Sequence, residues 1–406
     1  MNSSKKVVII GGGAAGFFTA INAKELNPKL EIIILEKGKD VLQKVKISGG
    51  GRCNITHACF EPKELVKNYP RGEKELLGPF NQFMTGDTFE WFDNHNVPLK
   101  IENDNRVFPE ANSSQVVIDC FMRLAKKLKI TVATGQNVVD LKKHQNYWKV
   151  ITKEQTYTCD FLVIAAGSSK KIWELAKQLN HTIIPPVPSL FTFNIKDSRI
   201  ADLGGISVPN ACIKIVNTKL ESMGALLITH WGLSGPAVLK LSAYGARILA
   251  EKNYQYNVIV NWLGVDADST IEKLIEFKQQ LSRKQIFVKS PFKDIPKRLW
   301  EHLLIAAKIS LESKWADLSK KQMNNLATQL TKSIFNANGR TTFKDEFVTA
   351  GGINLKEINF KRFESKIHKN LFIVGEILNI DAITGGFNFQ NAWTGAYICA
   401  QSIANI

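Results

Sequence analysis

Cysteine, acid and long uncharged stretches are the sparse commodities of this 406-residue sequence. Its six cysteines, Cys53, Cys59, Cys120, Cys159, Cys212 and Cys399, include no C-x-x-C pair. That excludes a disulfide scaffold and a Cys-rich zinc ribbon, and it fits a reducing compartment. No paired spacing of metal-ligand residues occurs, so no metal is expected. Repeats and low-complexity tracts are absent. Two uncharged stretches could be mistaken for membrane-seeking segments. Val7 to Ala23 follows Lys5-Lys6 as a signal peptide would, but three consecutive glycines spoil it as a membrane-seeking helix. Ala382 to Ala400 holds too much Thr, Asn, Gln and Gly for hydrocarbon. A protein of the cytoplasm, with no membrane partner, is the expectation.

Acids number 37 against 53 Lys and Arg, a formal net charge of +16. Such an excess suits an anionic partner: nucleic acid, a membrane surface or a phosphate-bearing cofactor. The cations are dispersed, though denser in 121–155 and 265–333, so nucleic acid is not expected and a small-molecule substrate is. With 44% hydrophobic and 22% charged residues, the chain has material for a sizeable core in two or three domains.

The chain opens with Val7-Val8-Ile9-Ile10, then Gly11-Gly12-Gly13-Ala14-Ala15-Gly16, then a helix-compatible stretch to Leu26. Glu31 to Leu35 reads as a second strand, giving β-α-β. In Gly11-x-Gly13-x-x-Gly16, Gly11 allows the tight turn and Gly13 lets a pyrophosphate approach the backbone. Gly16 lets the helix pack on the sheet. Ala14 and Ala15 then begin a helix whose N-terminus faces the phosphates. Glu36, with Lys37 beside it, ends the second strand, where its carboxylate accepts from ribose hydroxyls. An acid there repels a 2′-phosphate, so FAD or NAD is favoured over NADP.

A second glycine loop reads Ser48-Gly49-Gly50-Gly51-Arg52-Cys53-Asn54. Consecutive glycines let N–H groups converge into an anion-binding nest, and Arg52 adds a fixed positive fork. A plain NAD dehydrogenase does not need this loop; the longer flavin does. Phe161 to Ile164 leads to Ala166-Gly167, and Leu371 to Val374 leads to Gly375-Glu376, as central strands meeting a ligand do. Glu376 suits ribityl hydroxyls. Asp381, Gly385, Gly386, Phe387 and Asn388 precede a helix whose positive end suits the pyrimidine end of a flavin.

Pro185-Pro186-Val187-Pro188 marks an expected boundary. Beyond it, Phe191–Ile195, Cys212–Val216 and Tyr256–Trp262 alternate with period two, as antiparallel strands do. Asp268 to Phe335 turns helical. Ser319 and Gln322 form a capping box, and Leu326, Leu330 and Ile334 repeat at i+4.

Taken together, the strings Ile47 to Thr56, Thr229-His230-Trp231-Gly232-Leu233-Ser234-Gly235-Pro236, Val348-Thr349-Ala350-Gly351-Gly352-Ile353, and Gly375-Glu376 with Thr384-Gly385-Gly386-Phe387-Asn388 resemble the BaiN-type flavoproteins. These are NAD(P)/FAD-dependent oxidoreductases, also grouped as aminoacetone-oxidase-like. The resemblance spans nearly the whole chain. It implies an α/β fold: a Rossmann-like FAD domain of the two-dinucleotide-binding type, interrupted by a β-barrel domain with a helical insert. The expected division is 1–188 with 348–406 for FAD, 189–264 with 335–347 for the barrel, and 265–334 for the insert. The resemblance also implies non-covalent FAD at the motif positions, with the Val138 backbone at the adenine. NADH or NADPH is expected only as a transient donor, because one complete G-x-G-x-x-G is present. His230 is the candidate for proton transfer, since the unperturbed pKa of a histidine side chain lies near neutrality. His57 reads as a solvated loop residue rather than a site of flavin attachment. An RNA-acting flavoprotein and a non-enzymatic flavin sensor are the alternative readings.

Overall fold

The computed structural model describes residues 4–341 and 348–406. Residues 342–347, at the end of the expected barrel segment, lie outside the described residues. The chain divides into two compact units, Met1–Val187 with Lys344–Ile406, and Pro188–Phe343.

The first unit is built on a seven-stranded sheet. Its parallel core comprises β1 (Lys6–Ile10), β2 (Glu31–Leu35), β3 (Thr131–Ala133), β4 (Phe161–Ile164) and β5 (Leu371–Ile373). The order is β5-β4-β1-β2-β3, with short antiparallel strands Glu364–Ser365 and Ile358–Asn359 beyond β5. Val7, Val8, Ile9 and Ile10 pair with Phe161, Leu162, Val163 and Ile164. All eight are buried, which is why these runs are apolar throughout rather than alternating. Helix α1 (Ala14–Leu26) packs against α2 (Phe387–Ala404), with Phe18 and Trp393 ring centroids 5.1 Å apart. The first and last helices are therefore joined through the core. A buried Trp91–Asn22 hydrogen bond (3.0 Å) and a Trp393–Ile55 carbonyl bond (2.9 Å) satisfy the polar atoms that this packing encloses.

The second unit holds a closed six-stranded barrel in the order 192–195, 232–234, 221–229, 207–215, 255–261, 333–341, antiparallel throughout. Closure leaves no edge to aggregate. Gln255–Asn261 alternates exposed and covered residues as the period-two reading requires. Between its last two strands lie helices Ala267–Gln280, Lys297–Ala306 and Lys320–Thr331. The third starts as the sequence predicts, with Ser319 and Gln322 capping each other. The i+4 reading fails at its end. Ile334 belongs to the strand Ser333–Thr341, opposite Ile259, and is exposed, because barrel pairing takes over once the helix stops at Thr331.

The two units divide inside the proline cluster, between Val187 and Pro188, yet the prolines do not interrupt strand structure. Ile183–Ser189 is a strand of a two-stranded sheet with Val348–Ile353. An edge position needs no N–H from proline, so the prolines are accommodated there.

Candidate functional site

The C-terminal ends of β1, β2, β4 and β5 bring the sequence-predicted loops together, the place where open parallel sheets bind ligands. Gly11 has φ +113°, and a Cβ there would sit 2.4 Å from the Ala165 carbonyl oxygen, beside Ala166. At Gly16 a Cβ would meet the Gly11 carbonyl oxygen at 2.0 Å. Gly13 differs: a Cβ there would meet no described atom within 4 Å. Two of the fingerprint glycines are thus required by the protein itself, and the third faces free space. Gly13 is also the N-cap of α1, with no side-chain cap and no acid in the first turn. The helix's positive end and its orphan N–H groups are left for an anion at Ala14 and Ala15.

Glu36 sits at the end of β2 with both carboxylate oxygens on backbone: Oε2 accepts from Gly12 N (2.9 Å), Oε1 from Gly38 N (2.8 Å). Each oxygen keeps a further lone pair for a ribose hydroxyl. Lys37 beside it is exposed. Gln136 N donates to Glu36 O (2.8 Å) and Gly135 N to Gly38 O (3.0 Å), which holds the loop leading to Val138 against this end of the site.

The second glycine loop interrupts a helix. After Val45 the backbone leaves helical geometry at Ser48, and Gly49, Gly50 and Gly51 all take positive φ. Arg52 is right-handed and Cys53 left-handed, at φ +60°. Alternation of hand is what turns successive N–H groups toward one side. Added Cβ atoms at Gly50 and Gly51 would again meet nothing. Ser114, which no local motif marks, pins this loop: its hydroxyl donates to Lys46 O (2.8 Å) and its N–H to Gly51 O (2.8 Å). The Arg52 fork is already engaged, by Glu102 (2.6 Å) and by the Phe108 ring under its guanidinium (3.9 Å). Cys53 is fully buried, and burial pushes its thiol up to about 12. It supplies no thiolate near neutrality.

At the end of β5, Gly375 takes φ +78° against Ala15, and Glu376 follows. Lys44 pairs with Glu376 Oε2, while Oε1 is buried with no hydrogen-bond partner among the described residues. A buried carboxylate oxygen without a donor is costly, and a ligand hydroxyl would relieve it. Gly167, at φ +57°, lies beside the same carboxylate. Asp381 is wholly buried in a two-pronged pair with Arg71, so it fastens the 69–72 turn to the site loop. Asn388 turns back onto Ala382 N (3.0 Å) and Ala382 O (3.3 Å). Gly385 (φ +129°) and Gly386 (φ +96°) end the loop; a Cβ at Gly386 would strike the Thr56 carbonyl at 2.4 Å. With its amide oriented to suit its neighbours, Asn54 accepts from Gly386 N at 3.0 Å.

His57 is a correction. It is no solvated loop residue: it pairs with Arg106 in a short strand and is half-buried. Its Nδ1 lies 3.1 Å from Gly385 O, and its ring stacks on buried Phe387 at 4.5 Å. Burial holds its pKa below the ordinary value. His230 belongs to the second unit, exposed on the turn joining Glu221–Thr229 to Gly232–Ser234. Its ring packs against Gly204.

Lys44, Arg71, Phe108 and Ser114 were missed from sequence. None sits in a motif, and their partners lie far along the chain. The residues that remain fit a flavin dinucleotide: free space at Gly13, Gly50 and Gly51, an uncapped α1 terminus and the unpartnered Glu376 oxygen.

Comparison with known proteins agrees with this geometry. Residues 5–402 match the family described as HI0933-like protein Rossmann domain. A ribosomal RNA dihydrouridine synthase from Escherichia coli (strain K12) is 27% identical, over 98% of this chain and 97% of the relative. Another, from Haemophilus influenzae, is 28% identical over 100% of both. A 3-dehydro-bile acid delta(4,6)-reductase from Clostridium scindens is 26% identical over 98% of this chain and 99% of its own. Among solved structures, 3-ketosteroid-delta4-(5alpha)-dehydrogenase from Rhodococcus jostii RHA1 shares the fold at TM-score 0.51 and 12% identity, covering 100% of this chain and 98% of that one. Among the described residues, no helix is long and apolar enough to cross a membrane.

Proposed function

The chain belongs to the HI0933-like Rossmann-domain family, whose members are FAD-dependent oxidoreductases, and from that premise we propose that it reduces a carbon–carbon double bond conjugated to a carbonyl, with a uracil ring in ribosomal RNA as substrate. The observation that carries this reading is similarity along the whole chain to two relatives named for dihydrouridine synthesis in ribosomal RNA. The third relative is named for reduction of a conjugated bile acid, so one addition of two hydrogens unites all three names. The net charge of +16 favours the RNA. It moves the expected small molecule to second place.

When bound, FAD supplies the hydride, having taken it from NADH or NADPH. This chain's residues divide the remaining work. Glu36 and the α1 terminus hold the adenosine and pyrophosphate; Glu376, steadied by Lys44, holds the ribityl chain. Hydride addition to the β-carbon leaves negative charge on the carbonyl side, and the α-carbon then takes a proton. His57 is a poor donor for it, because burial disfavours its charged form and Nδ1–H faces the Gly385 carbonyl. His230, exposed on its turn, remains the proposed proton source.

The test is anaerobic incubation of the purified protein with NADH or NADPH and ribosomal RNA transcribed in vitro. Mass spectrometry should find two added hydrogens at a specific uridine. Unchanged RNA, with rapid oxidation of the reduced enzyme by a small enone, would establish the second reading: a small organic substrate, as the bile-acid relative suggests.

A further inference from the structure

Resting on the RNA reading above, we propose that the segment from Arg283 to Arg298, an irregular loop and the first turn of the helix that follows it, is an RNA-docking surface that grips the phosphate backbone. Six cations stand in it, Arg283, Lys284, Lys289, Lys293, Lys297 and Arg298, and all are exposed. Its one acid, Asp294, receives a hydrogen bond from the Asn210 amide (3.3 Å). Glu301 lies 3.8 Å from Lys297, and Glu312 stands at the rim on the neighbouring turn. Arg283, Lys284, Lys289 and Lys293 form no ion pair among the described residues.

The ordinary reading of exposed lysines is a solvated face. Here the segment's conformation argues for more. Up to Pro296, where the helix Lys297–Ala306 begins, it is long and without regular structure, the kind of loop that a compact domain keeps for a use. It is also held in place by groups that are not its charges. Ile286 and Ile295 are buried, Ile286 N donates to Ser313 O (3.0 Å), and Trp300 Nε1 donates to Ile286 O (2.9 Å). Trp315 N donates to Lys284 O (3.1 Å). Ser290 exchanges hydrogen bonds with Phe292, whose ring meets Phe277 edge-on at 5.7 Å. Arg298 also donates to Asp202 O, but the other five cations are not needed for these fastenings and are spread along a fixed scaffold. Lys297 lies over the half-buried Phe287 ring at 5.6 Å, and exposed Val288 adjoins it, so apolar surface is interleaved with the charge. Fixed cations with aromatic surface suit a structured polyanion.

The experiment uses the FAD-loaded, full-length protein and ribosomal RNA transcribed in vitro. In one variant Arg283, Lys284, Lys289 and Lys293 are all changed to Gln. A control changes exposed Lys126, Lys127, Lys129 and Lys142 to Gln, removing the same charge elsewhere. The first variant should bind RNA at least about tenfold more weakly at moderate salt, and its log–log salt slope should shrink by about 3. Its FAD content and its flavin reduction by NADPH should not change, which also shows that it is folded. Equal losses in both variants, or none in the first, would overturn the docking surface while leaving the RNA reading intact. A wild-type protein that binds anionic lipid vesicles but not RNA would overturn both.

Discussion

A glycine's worth depends on what its missing Cβ would meet. Gly16→Val would drive atoms into the Gly11 carbonyl, so unfolded or insoluble protein is expected. Gly13→Val meets no protein atom, so a folded protein lacking FAD is expected. Far-UV circular dichroism and the flavin absorbance of the purified variants separate the two outcomes. Stoichiometric FAD on Gly13→Val would move the pyrophosphate elsewhere. For Glu376, the unpartnered Oε1 makes Gln a sharp probe: the amide keeps the shape and loses the charge that Lys44 and a ribityl hydroxyl use. FAD should be retained roughly tenfold more weakly, the loss of one hydrogen bond to a charged group. Fluorescence titration of apoprotein measures this, and unaltered affinity would release Glu376 from the cofactor. Cys53 offers a third test. With its thiol near 12 and no exposure, its thiolate fraction at pH 8 is ~10⁻⁴. Iodoacetamide should label half-exposed Cys59 and Cys212 first, with Cys53 untouched until unfolding. Early labelling of Cys53 in native protein would show that the glycine loop opens.

Between elements, the first unit contains a Ser–His–Glu constellation that works as a clasp. His181 Nδ1 donates to Glu357 Oε2 (2.9 Å), and the Ser365 hydroxyl donates to Nε2 (3.1 Å). This geometry requires a neutral ring. His181 is almost wholly buried, and Ser365 also accepts from Ile367 N and His368 N (both 3.0 Å). Enclosed in this way, the serine is no nucleophile; the three join the segment after helix Lys170–Gln178 to the antiparallel edge of the sheet. Burial lowers the His181 pKa, despite Glu357, and hydrogen bonds with His181 and Thr182 lower that of Glu357. Both depressions act the same way on stability. As pH falls below the unfolded histidine value of about 6.5, the unfolded chain binds a proton that the clasp refuses. Below about 4.5 the Glu357 contribution is lost as well. Stability against thermal unfolding should therefore fall from pH 7 to pH 5, and His181→Ala should flatten part of that slope. It should also cost about 1–3 kcal/mol, since Glu357 and Ser365 lose their partner. A melting curve for His181→Ala with the wild-type slope would refute the clasp.

For the whole molecule, the sequence carries one G-x-G-x-x-G, at the head of one mostly parallel sheet, as expected for a single resident dinucleotide. No second fingerprint begins a β-α-β unit in the rest of the chain, so a nicotinamide donor is expected to bind, react and leave before the substrate enters. Initial rates against both reactants should give parallel double-reciprocal lines. Intersecting lines, with a nicotinamide nucleotide seated in its own fold, would sink this sequence of events.

Local sequence settled what depends on near neighbours. Strand, glycine turn and helix follow one another within residues 6–26, so the nucleotide-binding start was legible from spacing alone. The Ser319–Gln322 capping box and the alternating barrel strands were legible for the same reason. Tertiary structure decided the pairs that span the chain: Lys44 with Glu376, 332 residues away; Arg71 with Asp381, 310 away; His57 with Gly385, 328 away. No local pattern encodes such partners, because each pair exists only once the sheet has brought β1, β2, β4 and β5 edge to edge. The same holds for Ile334, where helical spacing continues in sequence but strand pairing prevails. Propensity and periodicity act over a few residues, and which charge meets which carboxylate is fixed by the packing of the entire core.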